Sequence, residues 1–265
     1  MPYAINGEVR ICYEVEGSGP PLVLHPGFVG SAADWGDGGY VAALRDRYQL
    51  VLLDPRGQGS SDKPRDPAAY ARRHRVGDVM AVLDAAGVDR AHFWGYSMGG
   101  WIGFALGTYA PDRLRSLVLG GAPHPFEGNP RPTEGDEFLD GLQQGMAALV
   151  RGWEETVPDF WLSAGERARW LASDAEALAA ARLQRLTEPD LPVDALAAIS
   201  VPALLYTGTL DEPELVERAA RLMPNAAFVA LEDLDHAQGL IRSDLVLPHV
   251  LRFLAQAEDA LAAGS

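Results

Sequence analysis

The sequence is poor in the residue types that build several common sites. It has one cysteine, Cys12, in 265 residues, which excludes an intramolecular disulfide and a cysteine-based metal cage. Positive charge is scarce: 22 Lys+Arg face 37 Asp+Glu, the formal net charge is −15, and Lys63 is the lone lysine. Such a surface repels a polyanion unless its bases gather in a stripe. The densest run, Arg72-Arg73-His74-Arg75, is diluted by Asp66 and Asp78, so nucleic acid is not an expected partner. No run of about 18 apolar residues occurs, so no membrane span is expected. Met1 to Gly7 carries neither the basic nor the apolar region of a secretion signal, and a cytoplasmic protein is the expectation.

What is present points to a core of ordinary size, with 48% apolar residues. The acidity is unevenly placed. Residues 1–123 have a net charge of −1, residues 124–200 of −8 and residues 201–265 of −6. Short apolar runs alternate with helical patterns on both sides of the middle segment, as in a mostly parallel sheet covered by helices. Residues 9–15 alternate like a strand, which makes Cys12 a buried strand residue, and Gly17-Ser18-Gly19-Pro20 reads as a hairpin turn. Strands are expected at Leu22–Leu24, Leu50–Leu53, Ala91–Trp94, Leu117–Leu119, Ala203–Tyr206 and Ala227–Leu231. A helix is expected over roughly residues 68–86, capped by Gly87, and an almost wholly apolar one over Trp101–Tyr109. Between residues 124 and 200 the pattern is helical only, which reads as a cap inserted into a core of residues 1–123 and 201–265.

Gly95-Tyr96-Ser97-Met98-Gly99 matches the G-x-S-x-G pattern in the setting where it has meaning, between an apolar strand and an apolar helix. A tight strand-to-helix turn strains the serine backbone, and glycines beside it avoid collisions. A serine hydroxyl needs a base to take its proton and an acid to orient that base. Both are expected after later strands, in the order Ser, Asp, His. Asp211 and His236 fit, with Glu212 the one serious substitute for Asp211. Asp233 and Asp235 lie too near His236 in sequence and are read as shaping its loop. His74, His92, His124 and His249 are read as structural, while His25 could orient the loop that follows it. Acyl transfer also needs donors for an oxyanion. The Met98 backbone N–H is one, and the Phe28 N–H in Pro26-Gly27-Phe28-Val29-Gly30 is the other.

With these residues in place, the chain resembles the α/β-hydrolase superfamily over nearly its whole length. The resemblance rests on Leu24–Ser31, Asp54–Asp62, Gly95–Gly100, Thr207–Asp211 and Asp235-His236, together and in order. It implies an α/β fold with an eight-stranded sheet, a helical cap, and a Ser97–His236–Asp211 relay. One position departs from the family: Pro26 stands where a histidine usually precedes the loop glycine, and His25 lies one residue earlier. Asp54 and Arg56 match a segment that is mostly structural. A serine at the elbow also sets the chain apart from relatives that attack with a carboxylate.

The leading expectation is a cofactor-independent, metal-free serine hydrolase of small carboxylic esters or lactones. A perhydrolase, a carbon–carbon bond hydrolase and a non-catalytic ligand receptor are the alternatives. The expected partner is a small molecule with an apolar acyl or ring group. Phe126, Trp153, Phe160, Trp161 and Trp170 in the insertion, and Trp101 after the elbow, either build its core or line its roof. The acidic cap and C-terminal part suggest a pocket approached through negative potential.

Overall fold

A computed structural model describes residues 1–123, 136–156 and 162–263. Its strands are β1 (Tyr3–Asn6), β2 (Val9–Glu16), β3 (Pro21–His25), β4 (Gln49–Leu53), β5 (Ala91–Tyr96), β6 (Leu114–Gly120), β7 (Ala203–Gly208) and β8 (Ala226–Leu231). Helices α1 (Ala32–Asp37) and α2 (Tyr40–Leu44) follow β3, α3 (Arg72–Ala85) follows β4, and α4 (Met98–Tyr109) follows β5. Between β6 and β7 come α5 (Glu137–Gln143), α6 (Met146–Thr156), α7 (Ala164–Leu171), α8 (Ala175–Thr187) and α9 (Val193–Ala197). The chain then adds α10 (Pro213–Leu222), α11 (Gln238–Ile241) and α12 (Ser243–Ala263).

The described strands form one eight-stranded sheet in the order β1-β2-β4-β3-β5-β6-β7-β8. The β1–β2 and β2–β4 pairs are antiparallel and all others are parallel. The central strands read as continuous apolar runs because both their faces are covered. Val23, Val51, Leu53, Phe93, Leu117 and Leu119 pack on one face, against Val79 and Leu83 of α3 and Phe104 and Leu106 of α4. Leu22, Leu24, Leu50, Leu52, Trp94 and Val118 pack on the other, against Trp35, Tyr40, and Val246, Val250 and Leu254 of α12. Each such side chain contributes about 1.5–3 kcal/mol when fully buried.

Two segments depart from the expectation. Gly17-Ser18-Gly19-Pro20 is not a hairpin turn, because β4 lies between β2 and β3. The glycines are there for close approach. A Cβ on Gly17, at φ +78°, would stand 2.2 Å from the Arg45 carbonyl oxygen in the segment leading into β4. The true hairpin lies earlier, between β1 and β2, through Gly7 and Glu8 with Gly7 at φ +64°. Its Asn6-Gly7 pair was the available signal. Finally, the helix expected over 68–86 is a short 3₁₀ turn, Pro67–Tyr70, followed by α3, with an extended backbone at Ala71 between them.

Candidate active site

Strand β3 lies at the switch point of the sheet, since the chain goes from it to β4 on one side and then crosses to β5 on the other. A crevice opens at the carboxyl ends of strands at such a point. In register, His25 pairs with Gly95, so the loop after β3 lies beside the turn after β5. The sequence forces this turn to be tight. Ser97 sits at φ 54° and ψ −113°, a sparsely populated region for a residue with a side chain. A Cβ on Gly95 would come within 2.2 Å of the Gly99 backbone, and one on Gly99 within 2.3 Å of the His25 carbonyl oxygen. The flanking glycines therefore let α4 start directly above the strand.

Ser97, His236 and Asp211 are brought together from three strand ends. His236 Nδ1–H donates to Asp211 Oδ2 at 2.8 Å, which leaves Nε2 to accept from the Ser97 hydroxyl at 3.0 Å. Thr207 Oγ1–H donates to the same Asp211 oxygen at 2.8 Å. Burial alone would raise the Asp211 carboxyl. The hydrogen bond and charge of His236, with the Thr207 bond, outweigh it and hold the group below its ordinary value. Asp211, and not Glu212, accepts from the imidazole; Glu212 stands just before α10. The imidazole is half exposed, whereas the carboxylate is nearly covered. Tyr96 Oη–H donates to the His236 carbonyl at 2.5 Å and its ring lies 5.5 Å from the imidazole, so β5 steadies the histidine loop as well as the serine. Asp235 shapes that loop by exchanging hydrogen bonds with Gln238, and the Asp233 N–H donates to Thr209.

The Phe28 loop lies against the serine: a Cβ on Gly27 would be 3.5 Å from Ser97 Cβ. Neither the Phe28 nor the Met98 N–H has a hydrogen-bond acceptor among the described residues. Met98 is the first residue of α4, where the helix dipole favours negative charge. Val29 stands at φ +66°, a rare conformation for a β-branched residue. Gln58 holds it there. Its Oε1 accepts from the Val29 N–H at 2.7 Å, and its Nε2 donates to the carbonyls of Gly27 at 3.2 Å and Gly30 at 3.1 Å. The clamp supplies what the departure at Pro26 had left open. It was missed because 31 residues separate Gln58 from Gly27 in the chain.

His25 is 3% exposed and its Nδ1–H donates to the Pro26 carbonyl at 2.9 Å. Burial lowers its pKa to about 4. The folded protein keeps this ring neutral while an unfolded histidine takes up a proton below about 6.5. Stability is therefore expected to fall as pH drops from about 6.5 towards 4, by about 3 kcal/mol for this group at the end of that window. Urea midpoints of wild type and His25→Asn across this range check it, with a shallower acid loss in the variant.

His92 is buried between Ser116 and Glu258, and His74 and His249 lie within α3 and α12, away from the relay. His124, Phe126, Phe160 and Trp161 lie outside the described residues. Phe28, Phe138, Trp153 and Trp170 form a line of ring contacts 5.1–5.9 Å apart. Through it the helices between β6 and β7 pack on the Phe28 loop. A cavity of about 470 Å³ lies on the far side of that loop, lined by Val29, Asp54, Gln58 and Arg169 but not by Ser97 or His236. No cluster of three His, Cys, Asp or Glu side chains able to hold a metal occurs among the described residues. No helix among them is long and apolar enough to cross a membrane.

A family profile described as alpha/beta hydrolase fold matches residues 20–161. The chain belongs to this family. Among relatives of the hydrolase, a protein of Azorhizobium caulinodans bearing the name carbamate hydrolase RutD is 40% identical over 119 residues, 45% of this chain and 43% of that protein. That alignment spans less than half of the relative. A pimeloyl-[acyl-carrier protein] methyl ester esterase of Aeromonas hydrophila is 32% identical over 86% of this chain and 93% of its own. The crystal structure of an enol-lactonase from Burkholderia xenovorans superposes with a TM-score of 0.81 at 26% identity, covering 96% of this chain and 100% of that one.

Proposed function

We propose that the enzyme hydrolyses small carboxylic esters or lactones, without a cofactor, through an acyl-enzyme on Ser97. The reading rests above all on the line Ser97–His236–Asp211, with hydrogen bonds of 3.0 and 2.8 Å. His236 takes the hydroxyl proton as Ser97 attacks the carbonyl carbon. It then gives that proton to the leaving alkoxide, and Asp211 stabilises the imidazolium between these steps. Water, deprotonated by His236, then attacks the acyl carbon; the bond to Ser97 Oγ breaks, Oγ takes the proton back from His236, and the acid leaves. The Phe28 and Met98 amides receive the oxyanion. Residues 124–200 act as a cap whose helices bear on the Phe28 loop. The names of the three relatives share one kind of reaction, water attacking an acyl carbon, which supports the class and leaves the acyl group open.

A fluorophosphonate probe tests the reading. Folded wild-type protein is expected to be labelled at Ser97, with fluoride leaving as the Oγ–P bond forms, and Ser97→Ala is expected to stay blank. An unlabelled wild type beside a reactive control hydrolase would remove the nucleophile from the proposal. Gln58 gives a second test. Gln58→Leu frees the Phe28 loop, and kcat for p-nitrophenyl butyrate is expected to fall by up to about 10²-fold, the scale of one lost oxyanion donor. An unchanged kcat would show that the loop keeps its shape without the clamp.

A further inference from the structure

Beside the nucleophile turn, between α3, α4 and the end of α8, lies a small cavity of about 30 Å³. Arg72, Arg75, Met98, Trp101, Arg185 and Glu188 face it. In a chain of net charge −15, this spot gathers three guanidinium groups around one carboxylate. That carboxylate is engaged, since Glu188 accepts from the Arg72 N–H at 2.8 Å and lies 3.8 Å from its guanidinium.

Arg75 lacks such a partner. Its Nε–H donates to the Tyr70 carbonyl at 2.9 Å and Nη2–H to the Ala181 carbonyl at 3.5 Å. Its Nη1–H is left with the Met98 sulfur at 2.8 Å, and a thioether is a weak acceptor. Arg75 forms no ion pair with a carboxylate among the described residues. Burial lowers its pKa to about 10, which still leaves it charged at neutral pH. A second donor is also unmet: Trp101 Nε1–H is buried with no acceptor. The Arg185 guanidinium covers the Trp101 ring at 4.4 Å from its centroid. Two donors, one of them cationic, thus lie at a cavity whose one facing carboxylate, Glu188, is bonded by Arg72 and by neither of them, and with three guanidinium groups to one carboxylate the balance favours an added anion.

The inner wall of this cavity is Met98, the residue after Ser97 and the source of a proposed oxyanion amide. Met98 is flexible and unbranched, so its sulfur can yield its place to a better acceptor. Given the hydrolase reading, on which this inference rests, we propose that the cavity is a carboxylate subsite. It takes the ionised end of a short acyl chain whose ester carbonyl lies at Ser97. Arg75 is the charge partner and Trp101 Nε1–H the second donor. The substrate class is then the half-ester or lactone of a small dicarboxylic acid. The volume suits a carboxylate and is too small for a ring or a substituted phosphate.

The test compares monomethyl glutarate, which ends in a carboxylate, with neutral dimethyl glutarate. Wild type is expected to prefer the half-ester in kcat/KM by at least about tenfold, mostly through KM. Arg75→Met is expected to abolish that preference, Arg75→Lys to retain part of it, and Trp101→Phe to reduce it severalfold. A general folding defect would lower both rates together and leave their ratio intact. Where Arg75→Met does not fold, Trp101→Phe carries the comparison. The same ratio in wild type and variants overturns the subsite. Calorimetry of glutarate binding to Ser97→Ala needs no turnover: affinity lost tenfold or more on adding Trp101→Phe or Arg75→Met supports the subsite, and unchanged affinity overturns it. Failure of the fluorophosphonate label, by contrast, removes the hydrolase reading alone.

Discussion

Replacing Ser97 with alanine is expected to lower kcat for p-nitrophenyl butyrate by about 10⁶-fold, and His236→Ala by about as much. Asp211→Asn should cost about 10⁴-fold, because the amide presents a donor to Nδ1 and selects the wrong imidazole tautomer. On the proposed mechanism the three groups act as a unit, since His236 takes the Ser97 proton only while Asp211 holds and stabilises the imidazole. Ser97→Ala/His236→Ala should therefore be hardly slower than either single variant. Neither substitution touches the packed interior beneath β5, so near-ultraviolet circular dichroism and urea midpoints should remain close to wild type. A Ser97→Ala protein that kept more than about one hundredth of wild-type kcat would place the nucleophile elsewhere.

The largest loss of stability is expected far from that chemistry, at Asp78→Ala. Asp78 and Arg56 are both almost wholly buried, and the guanidinium meets the carboxylate through Nε and Nη2, each at 2.5 Å. Asn6 of β1 donates to the same carboxylate at 2.9 Å, and Arg56 also donates to the carbonyls of Ala69 and His74. This knot ties the loop after β4 to α3 and to the edge hairpin. Removing the carboxylate leaves a buried cation without its partner, and a loss of about 3–5 kcal/mol follows. Arg56→Met/Asp78→Leu removes both charges and should recover much of that loss, because the desolvation penalty goes with them. Urea unfolding of the two proteins measures the difference. Equal destabilisation of both would mean that the hydrogen bonds to Asn6, Ala69 and His74, not the uncompensated charge, hold the knot together.

Much of the site was legible in the sequence because its parts sit at strand ends, and the strands are apolar runs that announce themselves. Leu22–Leu24, Leu50–Leu53 and Leu117–Leu119 are buried on both faces, so no alternation had to be deciphered. β1 was overlooked for the opposite reason: it is an edge strand with only Ala4 buried. Gly17 and Gly19 were misread because a glycine that turns the chain and one that lets another segment pass look alike in one dimension. Gln58 and Arg75 were missed because their meaning depends on partners remote in sequence. Arg75 in particular lies in the basic run Arg72–Arg75, whose sequence does not tell which member the fold turns inward against Met98 and Ala181.

The order in which the relay's members occur along the chain constrains how the protein becomes active. Ser97 and the Phe28 loop belong to neighbouring strands, whereas His236 lies 139 residues beyond Ser97 and arrives only when β7 and β8 have joined β6. Contacts of such separation close late, because loop entropy must be overcome before they form. A chain that has built β3, β4 and β5 holds Ser97 and the Phe28 and Met98 amides yet lacks His236, the proposed base. On the proposed mechanism, Ser97 is thus inert during synthesis from the N-terminus until the last quarter of the polypeptide docks. In refolding, recovered turnover therefore reports that final docking event.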